Sequence, residues 1–448
     1  MSGEWEHVSL DQLYDFSSGL SKPRSEFGSG YPFLSFKNVF YNIFVPNELT
    51  ELVNSTEHER LSRSIKRGDV FLTRTSETID ELGMSCVALK DLPGATFNGF
   101  TKRLRPKSST AIVPEYAAYF FRSPTFRREV TQMSSLSTRA SLNNAMLARL
   151  SVAIPPFADQ VAIGRILKAL DDKIELNRRM NGTLEDVARA LFKSWFVDFD
   201  PVHVKPALGE AEGAEGRRPY GMDADTAALF PNTFDDSPLG EVPTGWAVRR
   251  LGDVTEKPQY GFTASAQSKA VGPRFLRITD INKVPWIDWS SVPYCHISAD
   301  DYQKYRVQES DLLIARMADP GHGVMIEDDV EAVFASYLIR FRPRNVTYGR
   351  YLQYWLRSDS YWSIVAARSS GSTRASLNAK VLAAFDVLVP PEAVVRTFGQ
   401  KVDALRSKLT GSVGESGTLA ALRDALLPKL ISGELRVKDA DKVVAAAI

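Results

Sequence analysis

Two nine-residue stretches, KRGDVFLTR (66–74) and QESDLLIAR (308–316), share one pattern: an acid, an apolar run, then an arginine. The planar fork of arginine suits guanine edges and phosphates, so Arg74 and Arg316 are candidates for nucleic-acid contact. The same spacing also allows a buried ion pair, Arg74 to Asp69 and Arg316 to Asp311. A second pair of arginines sits in the heptapeptide STRASLN, which occurs at 137–143 and again at 372–378. Arg139 and Arg374 are placed there to touch phosphates, fixing position without reading sequence. A structural role is open beside that one: Ser or Thr as the N-cap of a short helix ahead of a final strand. Lys37 and Asn38 in the first half, and Tyr260, Thr263, Arg277 and Thr279 in the second, are polar residues at strand edges and turns that follow apolar runs. They complete the candidate DNA-contact set.

Groups for catalysis are missing. His7, His58, His203, His296 and His322 show no ligand spacing, and neither cysteine (Cys86, Cys295) pairs with one of them. No Walker A pattern is present, and Gly28-Ser29-Gly30 stands in the wrong context for a dinucleotide fingerprint. Ile154-Pro155-Pro156-Phe157 has the outline of the Asn-Pro-Pro-Tyr motif of amino-methyltransferases. Ile154 stands where the residue that holds the target amine is required, so that reading is rejected. No nucleophile and base form a set. The expectation is a chain with no catalytic residues, metal or cofactor of its own.

The elements that position these residues are duplicated. At an offset of 235, Pro155-Pro156 falls on Pro390-Pro391, and Gly182-Thr183-Leu184 on Gly417-Thr418-Leu419. Nearer the N-terminus the offset is 241 to 242, pairing Trp5 with Trp246, Phe33-Leu34 with Phe275-Leu276, and Arg74 with Arg316. After each Pro-Pro comes a heptad seam. The first runs Ile163, Leu167, Leu170, Ile174, Asn177, Asn181, Leu184, Ala188, Leu191, Trp195. The second runs Phe398, Val402, Leu405, Leu409, Ser412, Ser416, Leu419, Arg423, Leu426, Leu430. Both turn polar in the middle. The seams predict two helices that cover each other as an antiparallel coiled coil, with a kink at Pro428. Their apolar members are also the candidates for docking partner subunits.

Composition agrees with a globular protein: 448 residues, 44% hydrophobic and net charge +1, with no apolar run long enough to span a membrane. Two distant cysteines fit a reducing cytosol. The stretch 207–241 is acidic and rich in Gly and Pro, and reads as a surface linker. The heads read as mixed α/β, with aromatic amphipathic helices over 114–130 and 350–365. The predicted fold class is α+β: two similar α/β domains separated by two long antiparallel helices, an internal duplication with a pseudo-two-fold. The predicted order is a first head at 1–156, a spacer helix at 157–200, an acidic linker at 201–241, a second head at 242–391, a spacer helix at 392–434 and a tail at 435–448.

This pattern resembles the specificity subunit of type I restriction-modification systems over nearly the whole chain. IPPFADQVAIGRILKALDDKIELNRRMNGTLEDVARALFKSWFVDFDPV (154–202) is its most specific part, LFPNTFDDSPLGEVPTGWAVRRLGDV (229–254) looks like the passage into a second variable domain, and Tyr260-Gly261-Phe262-Thr263 resembles a recognition loop. The second tail departs from it, with Val395 in place of Gln160 and no Trp-Phe-Val-Asp-Phe ending. The resemblance implies target-recognition domains that each read half of a split double-stranded DNA site, with the helices setting the gap. It implies two modification subunits that bring S-adenosylmethionine and methylate adenine N6, two restriction subunits that use ATP and Mg, and a cytoplasmic, membrane-free setting. The reading from the residues alone leaves a DNA-free scaffold with a duplicated fold as the alternative.

Overall fold

A computed structural model describes residues 5–75, 81–108, 110–134, 141–204, 222–282, 285–369 and 377–447. The chain divides into two compact units, residues 1–176 with 415–448 and residues 177–414. Both are built to one plan.

In the first unit, a four-stranded antiparallel sheet runs in the order Tyr14–Ser18, Thr101–Pro106, Val70–Thr73, Ser85–Val87. Beside it Phe27–Leu34 pairs in parallel with Thr96–Phe97. Glu6–Ser9 pairs with Ser151–Ile154, just ahead of the Pro-Pro. The second unit repeats this. Its sheet runs Gln259–Tyr260, Leu338–Phe341, Leu312–Ala315, Gly323–Met325. Arg274–Leu276 pairs in parallel with Ala332–Phe334, and Ala247–Arg250 pairs with Asp386–Val389. The central strands, VFLT and LLIA, are buried on both faces, which is why they are continuously apolar.

The heptad seams form two 40-residue helices, Phe157–Phe196 and Glu392–Ile431. Each begins one residue after the second proline of the Pro-Pro, and the second continues through Pro428. They run antiparallel within each unit. In the first, Ile163, Leu167 and Leu170 share a core with Leu419, Leu426 and Leu430. Asp171 pairs with Arg423 at 2.6 Å and Lys173 with Glu415 at 3.4 Å. In the second unit, Phe192 and Phe196 pack on Phe398, and the Asn177 amide donates to the carbonyl of Ser412, its counterpart 235 residues on. Ile163, Leu167, Leu170, Trp195, Phe398, Val402, Leu409, Leu419 and Leu426 are buried; Ile174, Leu184, Leu191 and Leu405 are half-buried. These side chains pack helix against helix and helix against head.

Several sequence expectations change. The aromatic helices predicted over 114–130 and 350–365 are each two helices, Pro114–Phe120 with Pro124–Ser134 and Gly349–Trp355 with Asp359–Ser369. The break falls at Ser123 and Ser358, whose hydroxyls accept from the backbone three residues on. The predicted linker is partly folded: Asp200–His203 and Ala224–Ala228 are helical, Phe234–Ser237 and Gly240–Pro243 form a hairpin, and Met222 and Phe230 are core. The predicted tail holds a helix, Val437–Ala445, which buries Ala440 and Val444 in the core of the first unit. Buried apolar residues override composition in both places. No helix among the described residues is long and apolar enough to cross a membrane.

Candidate nucleic-acid interface

In each head one tight turn gathers the predicted residues. In the first it is Asn98-Gly99-Phe100-Thr101, closed by Thr101 N–H donating to the Asn98 carbonyl at 3.0 Å. In the second it is Ala335-Ser336-Tyr337-Leu338, closed by Leu338 N–H and the Ala335 carbonyl at 2.8 Å. Three neighbours bind each turn through the backbone. The carbonyl of Leu34 accepts from Asn98 N–H at 3.0 Å, and that of Leu276 from Ala335 at 2.8 Å. The carbonyl of Leu20 accepts from Gly99 at 2.7 Å, and that of Phe262 from Ser336 at 2.8 Å. Arg74 N–H donates to the Phe100 carbonyl and Arg316 N–H to that of Tyr337, both at 3.0 Å.

The repeated heptapeptide joins this ladder next. Leu142 N–H donates to the Arg74 carbonyl at 2.8 Å, and Leu377 N–H to the Arg316 carbonyl at 2.9 Å. Both leucines are buried, and the following asparagine caps a short helix: Asn143 over Asn144–Arg149, Asn378 over Ala379–Ala383. The capping role is thus real, but its residue is Asn, not Ser or Thr; an amide oxygen accepts the free N–H of the first turn equally well. Arg139 and Arg374 lie outside the described residues.

The other predicted residues sit one step from the turn. Leu34 leads into a helix, Phe36–Tyr41, that carries Lys37 and Asn38. Lys37 is exposed, while Asn38 is engaged, its Oδ1 accepting from Ser35 N–H at 3.1 Å and from Ser35 Oγ at 2.8 Å. Leu276 leads into the matching helix, Ile278–Ile281, with Thr279 exposed. There Arg277 folds back on Asp280 at 2.9 Å, and that carboxylate holds the guanidinium above its usual range. Phe262 leads into exposed Thr263. Tyr260 accepts at its hydroxyl from Ala379 N–H at 3.0 Å, and the Arg316 guanidinium lies 5.0 Å from the centre of its ring. In the first head Lys102 takes that tethering role, donating to Ser18 Oγ at 3.0 Å and Asn144 Oδ1 at 2.8 Å. Burial, then the Arg74 guanidinium, push its ammonium below its usual range. Glycines let the backbones meet: a Cβ on Gly19 would lie 2.2 Å from the Phe97 carbonyl oxygen, and on Gly261 2.3 Å from that of Ala335.

The ion-pair reading of the first arginines is corrected. Asp69 is held by Arg105, at 2.7 and 2.6 Å, and Asp311 by Arg342, at 2.6 and 2.8 Å. The acids precede their strands and face the neighbouring strand, because Val70 pairs with Leu104 and Leu312 with Phe341. Arg74 and Arg316 are freed for the turn. Two residues went unnoticed in the sequence: Phe100 and Tyr337, 60% and 55% exposed at the same turn position. Their offset of 237 matches neither repeat offset, so self-alignment does not pair them.

Burial pushes the Cys86 and Cys295 thiols up, away from reactive thiolate. No cluster among the described residues has the make-up of a metal site. What the two ladders offer is a rigid backbone edge presenting different side chains in each copy.

Comparison with known proteins agrees with this duplication. The chain is 26% identical to the HindI specificity subunit, a type I restriction enzyme component of Haemophilus influenzae, with 96% of this chain and all of that one covered. It is 23% identical to the MjaIX specificity subunit of Methanocaldococcus jannaschii, over 97% and 94% of the two chains. Among solved structures, the S subunit of a type I restriction-modification system from M. genitalium shares the fold, with a TM-score of 0.54 at 14% identity over 95% and 96% of the chains. The model of the type I restriction modification DNA specificity domain matches twice, at residues 2–186 and 243–405. With both copies matched across most of its length, the chain belongs to the type I restriction-modification specificity family.

Proposed function

We propose that this protein reads the target sequence for a DNA-modifying complex, each head recognising one half of a split duplex site. The observation that carries this reading is the ladder found twice with an unchanged backbone and changed side chains. Lys37 stands opposite Thr279, Ser18 opposite Tyr260, and Asn38 opposite Asp280. A fixed edge with substituted donors and acceptors is what two different base sequences require, since groove edges are told apart by donor and acceptor pattern.

The two 40-residue helices, about 60 Å each at 1.5 Å per residue, set the length of the unread gap. The protein performs no chemistry itself. It recruits two modification subunits, which bring S-adenosylmethionine to methylate adenine N6, and restriction subunits that use ATP and Mg join for cleavage. Because the seam residues are covered, those subunits dock on outward-facing positions such as exposed Phe157, Val161 and Val187.

The test is to express this chain with its modification partner and sequence the cell's methylated DNA, then measure duplex binding by the purified complex against salt. One interrupted adenine-methylated motif is expected, with affinity falling steeply as salt rises. A complex that assembles but does not bind duplex DNA, and leaves no motif, makes the chain a scaffold instead.

A further inference from the structure

We infer that Phe100 and Tyr337 are DNA-contacting residues, each pressing its ring against the bases or sugars of its half-site. This rests on the reading of the heads as DNA-recognition domains and goes beyond it to the residues at their centre. Single exposed apolar side chains are ordinary on protein surfaces. Two large rings at the same position of the same turn, in heads that otherwise diverge, are not. Both stand at the third residue of the turn, Phe100 60% and Tyr337 55% exposed. The turn does not ask for them: such positions favour Gly, Asn, Asp or Ser for backbone reasons. The core does not ask for them either, since neither is buried.

The surroundings select DNA as the partner. Each ring's own carbonyl is hydrogen-bonded to Arg74 or Arg316, and the turn's other bonds lead to Lys37 in one head and to Thr263 and Thr279 in the other. Burial, then the nearby Arg74 guanidinium, lower the Lys102 ammonium below its usual range. A ring on a turn whose backbone is bonded to that of an arginine suits a duplex, in which apolar faces lie between phosphates. The two heads differ in their polar groups but both keep a ring. Contact with a base face or sugar does not depend on the donor and acceptor code, so it suits both halves of a split site. The polar neighbours read sequence, and the ring supplies sequence-tolerant affinity.

The experiment uses the full complex with its modification subunits and duplexes carrying its methylated motif. Variants are Phe100→Ala, Tyr337→Ala, the double variant, and the aromatic exchanges Phe100→Tyr and Tyr337→Phe. Each alanine variant should bind about tenfold more weakly, from roughly 1–3 kcal/mol per aromatic–base contact, and the double variant about a hundredfold. The salt slope should stay at the wild-type value because no charge is removed. The aromatic exchanges should retain binding, which separates loss of a contact from a disturbed turn. Alanine variants that bind as tightly as wild type overturn the inference while leaving the DNA reading intact. So does a defect confined to assembly with the modification subunits, which would turn the rings toward protein. Failure of the wild-type complex to bind duplex would instead remove the underlying reading.

Discussion

The two units seat their heads on the helix pair with the same tyrosine and opposite electrostatics. Tyr119 and Tyr354 are repeat counterparts, and each donates its hydroxyl to a carboxylate of the first long helix, Asp171 at 2.6 Å and Glu185 at 3.1 Å. Their surroundings then part. In the first unit Asp171 takes Arg423 from the second long helix, and Arg122 turns away to four backbone carbonyls, of Val39, Phe40, Asn42 and Ser85. In the second, the counterpart of Asp171 is Arg406, only 3% exposed, which binds Glu185 at 2.8 Å and Glu327, and reaches the carbonyl of Pro285. Arg357 and Arg350 add further bonds to Glu185 and Glu327. A cation has replaced an anion at the repeat position, and the tyrosine has kept a carboxylate by drawing it from the other long helix. What the duplication preserved is a satisfied hydroxyl and a packed ring; the sign of the charge was free to change once its partner changed with it.

The largest test of that contrast is Arg406→Met. It leaves Glu185 to Arg357 and Glu327 to Arg350, each short of a buried cation, and should cost about 3 kcal/mol. Hydrogen exchange should quicken in 349–369 and stay unchanged in 114–134. Equal quickening in both segments would erase the distinction between the units.

A shared feature gives the control. Asp69 with Arg105, and Asp311 with Arg342, are the same buried pair in two copies. Asp69→Asn and Asp311→Asn should each cost about 2–3 kcal/mol by denaturant unfolding, somewhat below a fully buried pair because the arginines are partly exposed. Costs that differ by more than about 1 kcal/mol would show that the sheet anchors have diverged as the helix contacts have.

Acid should separate the units further. Burial raises the Glu327 carboxyl, but the Arg406 hydrogen bond and the charges of Arg350 and Arg406 outweigh it and bring it down to about 2. A depressed folded value means stability that is full above the unfolded value of about 4.5 and is lost as pH falls toward 2. By pH 3 about 2 kcal/mol should be gone from this group, and Glu327→Gln should flatten the acid limb of the second unit's stability. An unchanged limb would mean that Glu327 is not what the acid titrates.

The smallest effects should be equal in the two units. Asn143→Ala and Asn378→Ala each remove one helix cap and should cost about 1 kcal/mol by thermal unfolding. If one costs nothing, the shared asparagine of the repeat is kept for another reason in that head.

The duplication and the heptad seams were legible in the chain, because identity at fixed offset and 3.5-residue periodicity are properties of sequence. So was the matching place of Arg74 and Arg316, which follow their apolar strands directly. Composition misled over 201–241, where a few apolar residues such as Met222 and Phe230 outweigh the acids once a core accepts them. Partner choice was hidden. Asp69 and Arg74 are five residues apart and look paired, yet side chains alternate along a strand, and the neighbour that meets Asp69 comes from register with a strand more than thirty residues away. Phe100 and Tyr337 were hidden for a related reason: their offset is shifted from that of the repeat, and only the matched backbone hydrogen bonds of the two turns show that they occupy one place. Sequence by itself determined the elements and their repetition, since those depend on local spacing. The tertiary structure alone decided which arginine holds which acid and which ring stands beside which cation, since those depend on strand register and chain crossings that no local pattern encodes.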